Sequence, residues 1–124
     1  MIDHVSIKVS DLQKSKLFYE KAFAPFGYKI AFGEEGVFYA FDVGNGCLFE
    51  IIKFNSNKSI TSSHIAFRAA SQKQVQDFYA AAIEAGATDN GEPGQRPNYT
   101  KNYYACFILD PDGHNIEAMF DIRK

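Results

Sequence analysis

The chain has 124 residues, 46% of them apolar or tyrosine, and a formal net charge of −2. This is enough for one domain that buries roughly two thirds of its unfolded surface, and 1–124 is expected to fold as a single unit. No block of like charge suits nucleic acid or an anionic membrane surface, no apolar run is long enough to span a membrane, and no signal-peptide pattern opens the chain, so a cytoplasmic protein is expected.

Residues 2–9 alternate as a strand, with Val5, Ile7 and Val9 on one side and His4, Ser6 and Lys8 on the other. Asp11 then caps a predicted helix whose apolar face carries Leu12, Ser15, Phe18, Tyr19, Ala22 and Phe23, and Pro25 and Gly27 end it. Short β-type runs from 28 to 54, broken at Gly33, Gly36 and Gly44-Asn45-Gly46, predict a meander of about three strands. The polar segment 55–61 connects a first module, 1–54, to a second, 62–124.

The second module opens on another alternating strand, His64 to Arg68, followed by a helix with capping-box spacing at Ser71 and Gln74. Its stripe is Val75, Phe78, Tyr79, Ala82 and Ile83, and Gly86 stops it. Thr88 to Asn102 is rich in Gly, Pro, Asn and Asp and reads as irregular. Tyr103 to Leu109 is a strand, Asp110-Pro111-Asp112-Gly113 a turn, and Asn115 to Phe120 the last strand. The order is βαβββ twice.

The repetition extends to single residues. His4-Val5-Ser6-Ile7 recurs as His64-Ile65-Ala66-Phe67, and at the same offset Phe18-Tyr19 recurs as Phe78-Tyr79. Each module ends on a glycine turn and a strand carrying one carboxylate, Glu50 or Glu117. A lone strand histidine is usually a core or edge residue satisfied by backbone, but two matched His/Glu pairs form a ligand set suited to a divalent metal. By phase, all four lie opposite the apolar residues that should pack on the helices. Lys8 and Arg68 share that face, where either receives an anionic group or lies idle at the rim. Arg96, Tyr99, Tyr103 and Tyr104 combine a guanidinium with phenols, which suits a carboxylate or planar polar ligand; a surface loop with tyrosines packed on it is the plainer alternative. His114, after a turn glycine, is expected to face solvent, and Cys47 and Cys106 to be reduced, partly buried thiols.

These features together resemble the vicinal oxygen chelate superfamily, the glyoxalase I, bleomycin-resistance and extradiol-dioxygenase group. The resemblance spans essentially the whole chain and is carried by Ile2-Asp3-His4-Val5, Asp11-Leu12 with Phe18-Tyr19, His64-Ile65-Ala66-Phe67, and Asp110 through Glu117. It implies an α+β fold in which two βαβββ modules form a curved, cup-like mixed sheet with helices on the convex face. It also implies a metal held by His4, Glu50, His64 and Glu117, with Zn or Ni foremost and Fe, Mn or Co as alternatives.

A His-Glu-His-Glu set is similar to bacterial-type glyoxalase I, a lactoylglutathione lyase. There the ion would bind two adjacent substrate oxygens while Glu50 or Glu117 moves a proton between neighbouring carbons. The segment Gly91 to Tyr99 departs from that enzyme and looks like a branch of small bacterial glyoxalase-like proteins, which leaves glutathione open as the thiol. An Fe(II) ring-cleavage dioxygenase using His4, His64 and Glu117, and a non-catalytic drug-binding or resistance protein, are the alternatives. The expected partner is a small-molecule substrate, and the expected assembly is a homodimer.

Overall fold

The computed structural model describes residues 1–122. Arg123 and Lys124, assigned above to the second module, lie outside the described residues. The elements follow in chain order as β1 (His4–Val9), α1 (Leu12–Ala22), a 3-10 turn (Ala24–Phe26), β2 (Lys29–Glu34), β3 (Phe38–Asp42) and β4 (Leu48–Lys53). Then come β5 (His64–Arg68), α2 (Gln72–Glu84), β6 (Thr88–Gln95), β7 (Tyr104–Leu109) and β8 (Asn115–Phe120). This is the expected α+β arrangement of two βαβββ modules.

Each module builds one four-stranded mixed sheet, in the orders β1-β4-β3-β2 and β5-β8-β7-β6. In each, the first strand runs parallel to the last and forms a sheet edge, and the other pairings are antiparallel. The two sheets do not close into one barrel.

Local chemistry sets the helix boundaries. The Asp11 carboxylate accepts the Lys14 backbone N–H, and the Ser71 hydroxyl accepts that of Gln74. Gln74 answers by accepting the Ala70 N–H and donating to the Pro25 carbonyl, so one residue caps α2 and ties it to the first module. Every residue of the expected α1 face is buried. On α2, Val75, Phe78 and Ala82 are buried and Tyr79 half-buried, but Ile83 is exposed because it sits at the rim of the stripe.

One apolar cluster runs through both modules. Phe67 of β5 lies edge-on to Phe23 and Phe49 of the first module at 5.1 and 5.4 Å between ring centroids. Aromatic pairs in such geometry add to plain area burial, so the two halves share a core.

Two sequence expectations change here. The 88–102 stretch, read as irregular, contains β6, an eight-residue strand whose register against β7 shifts between Asp89 and Gly91 and again between Gly91 and Gly94. Its glycines mark bulges rather than a loop. His114, expected at the surface, is 1% exposed. Its Nδ1 accepts the Ser63 N–H at 2.9 Å, so Nε2 carries the hydrogen and donates to the Lys8 carbonyl at 2.8 Å.

The turn before His114 reinforces that bridge. Asp110 accepts the Tyr19 hydroxyl and the backbone N–H groups of Asp112 and His114. Asp112 accepts both the N–H and the hydroxyl of Ser10. The segment is thus a turn, as its composition predicts, and also a polar clamp between modules.

Candidate metal and substrate site

Sheet register settles which face each candidate occupies. Glu50 lies directly across from Ser6 in β1 and Ala40 in β3, with no register shift in β4 to turn it outward. His4 is opposite Leu48, two residues before Glu50, and so shares its face. In the second module His64 is opposite Asn115, two residues before Glu117. The duplicated register therefore presents the same His/Glu pair twice, each on the face away from the helices and each with its histidine on an edge strand.

Both imidazoles are oriented from behind. His4 Nδ1 lies 2.8 Å from the Asp3 carboxylate, and His64 Nδ1 lies 3.1 Å from the Asn115 carbonyl. Neither acceptor can donate, so each Nδ1 carries the hydrogen. A histidine whose Nδ1 is tied to a carboxylate or carbonyl, leaving Nε2 as the ring's acceptor, is oriented as a metal ligand is. The hydrogen bond to Asp3, and then the charge of Glu50, raise the pKa of His4 above its ordinary value.

The carboxylates are also held. Glu50 accepts the Ser6 hydroxyl at 2.9 Å, and Glu117, 3% exposed, accepts the Tyr103 phenol. His64 Nε2 stands 3.0 Å from Glu117 Oε1. With Nδ1 protonated, a neutral ring would aim its Nε2 lone pair at that carboxylate, which is stable only with a proton or a cation between them. The His64–Glu117 half-site therefore fits a divalent ion in donor type and in orientation.

One chain does not assemble all four donors. Among the described residues no three His, Cys, Asp or Glu side chains gather closely enough to hold one ion. Each chain offers two half-sites, His4/Glu50 and His64/Glu117, on separate sheets.

The remaining candidates divide by face. Phe107 is directly opposite Glu117, and its ring carries His64 at 6.2 Å and the Arg96 guanidinium at 5.5 Å. Tyr103 holds Glu117 and packs edge-on to the exposed Tyr99. Arg68 shares the open face but donates to the Asp121 carbonyl at 3.3 Å, near the chain end. Tyr104 points the other way, into the helix-side core, where its hydroxyl accepts from Gln76 on α2. The alternation of β7 puts it on the face opposite Ala105 and Phe107, away from the second half-site. Ser6 and Phe107 were not singled out from sequence. The signal available was their position on the same alternating face as the ligands.

The family model described as Glyoxalase/Bleomycin resistance protein/Dioxygenase superfamily matches residues 1–118. A glyoxalase/bleomycin resistance protein from Albidiferax ferrireducens T118 is 30% identical with a TM-score of 0.86, over 98% of this chain and 99% of that one. A glyoxalase-related enzyme from Fulvimarina pelagi is 18% identical with a TM-score of 0.78, over 98% and 88%. A lactoylglutathione lyase from Agrobacterium tumefaciens is 17% identical with a TM-score of 0.73, over 97% and 92%. The last two likenesses are of fold alone. No curated protein matches the chain significantly. With residues 1–118 matched by the family model and a 30% identical relative covering 98% of the chain, the chain belongs to the glyoxalase/bleomycin resistance protein/dioxygenase superfamily.

Proposed function

We propose that this protein is a metal-dependent, glyoxalase-like lyase or isomerase that moves a proton between adjacent carbons of a substrate bearing two neighbouring oxygens. The observation that carries this reading is the pair of matched half-sites, each with an Nδ1-tethered histidine and a hydroxyl-tethered carboxylate. His4, Glu50, His64 and Glu117 are the proposed ligands. A divalent ion there would supply Lewis-acid polarisation of the substrate oxygens.

The chain's own residues do the rest. Glu50 and Glu117 are the proton carriers, one taking the proton from carbon and returning it next door. Ser6 and Tyr103 fix those carboxylates, and Phe107 walls the second half-site. Glu50 on the same face as His4 favours four protein donors over a facial triad with open positions for oxygen.

We infer that the working unit is a homodimer in which the first half-site of one copy meets the second half-site of its partner. Three features support this: the separation of the half-sites within one chain, the placement of their histidines on the edge strands β1 and β5, and Phe32, which lies in line with Ala40 and Glu50 and is 51% exposed.

The test is turnover of methylglyoxal hemithioacetals to thioesters by protein loaded in turn with Zn²⁺, Ni²⁺, Co²⁺ and Mn²⁺. Metal-dependent turnover that falls about a hundredfold or more in Glu50→Gln or Glu117→Gln is expected. Turnover unaffected by both substitutions would refute the assigned roles.

A further inference from the structure

Arg96 is seated with unusual care for a residue after a bulged strand. Its two terminal nitrogens donate to the Glu92 carbonyl at 2.8 Å and the Gln95 carbonyl at 3.2 Å, and its plane lies over Phe107. Glycines make the room. A Cβ at Gly91 would stand 3.3 Å from Nη2 and one at Gly94 3.1 Å from Nη1. Among the described residues no carboxylate comes within ion-pair distance of the guanidinium. A fixed, half-buried positive charge thus has neutral partners only, and its remaining N–H groups are uncommitted.

The location gives that charge a use. Phe107 carries Arg96 and His64 on one ring and lies opposite Glu117, so the guanidinium flanks the second half-site. Arginine is the side chain that recognises a carboxylate through two parallel hydrogen bonds. We propose that Arg96 is an anion subsite, and that the substrate is a small carboxylate whose two neighbouring oxygens lie at the His/Glu donors while its carboxylate, on the thiol-derived arm, pairs with Arg96. The placement of the oxygens rests on the proposed function above; the anion subsite itself does not.

Binding and turnover separate the two. Chelator-stripped protein is titrated with (methylthio)propionate and with its uncharged methyl ester, following the Arg96 Nε–H signal by NMR. The acid should shift that signal saturably and the ester should not. Arg96→Gln should weaken binding of the acid about tenfold or more. Gly94→Ala, which crowds Nη1 without removing the charge, should weaken it as well.

Metal-loaded protein is then given methylglyoxal with mercaptopropionate or mercaptoethanol. Arg96→Gln should raise KM for the anionic hemithioacetal at least about tenfold more than it raises KM for the neutral one, a charge-specific split between the two substrates. Equal binding of acid and ester, or binding undiminished in Arg96→Gln, would overturn the subsite. Carboxylate binding at Arg96 with no turnover of either hemithioacetal would uphold the subsite and overturn the reaction.

Discussion

Replacing His114 with leucine tests how the two modules are held in register. The substitution keeps apolar bulk but removes the acceptor for the Ser63 N–H and the donor to the Lys8 carbonyl, both part-buried. Leaving a buried polar group unpaired costs about 1–3 kcal/mol. Partial solvent access puts each near the lower end, for a total of about 2–4 kcal/mol. Unfolding entropy scales with length, so for this chain 1 kcal/mol corresponds to about 4 °C in Tm and the expected fall is about 8–16 °C. Thermal and urea unfolding followed by circular dichroism measure it. His114→Gln, which retains a donor and an acceptor, should recover part of the loss. A fall below about 1 kcal/mol, or no difference between the two variants, would refute the bridging role.

Other expectations follow from single contacts. Tyr103→Phe removes the phenol that holds Glu117 and should weaken metal binding about 10–100-fold, read by competition with a chromogenic chelator. His4→Ala and His64→Ala protomers, each inactive alone, should regain about a quarter of wild-type activity when mixed, because half the dimers are mixed and each has one intact shared site; no recovery would refute sharing. Burial pushes the Cys106 thiol up to about 12, so at pH 8 only on the order of one in ten thousand is thiolate, and iodoacetamide should modify Cys47 but not Cys106 in the folded protein. In metal-free protein His4 should titrate above its ordinary value, and Asp3→Asn should bring it down, by NMR. Because folding raises that pKa, the associated stability is present below about pH 6.5 and lost as pH rises through the folded value.

Much of this architecture was legible because strands and helices impose fixed periods. The alternation of His4-Val5-Ser6-Ile7 and of Leu48 through Ile52 put His4 and Glu50 on one face before any register was known, and pairing confirmed it. Capping at Asp11 and Ser71 was equally readable, since the donor and acceptor lie three residues apart.

What escaped depends on contacts far apart in sequence. His114 is buried by Lys8 and Ser63, which no local pattern connects to it. β6 was hidden because Thr88–Gln95 has the composition of a loop, and its pairing with β7 overrides that weak preference. Tyr103 and Tyr104 are adjacent and chemically alike. Only the strand that begins at Tyr104 sends one to Glu117 and the other to Gln76. The division of the four candidate ligands into two pairs is a property of how whole modules pack, which periodicity does not encode.

Whether His4, Glu50, His64 and Glu117 hold one divalent ion is tested most directly by metal titration of chelator-stripped protein followed by thermal unfolding. Binding to the folded state should stabilise it by about 2.7 kcal/mol at a free metal concentration one hundred times Kd. One ion per chain, with the stabilisation lost in His4→Ala, Glu50→Gln, His64→Ala and Glu117→Gln alike, is the predicted result. No stabilisation by Zn²⁺, Ni²⁺, Mn²⁺, Co²⁺ or Fe²⁺, or a response that survives all four substitutions, would contradict it.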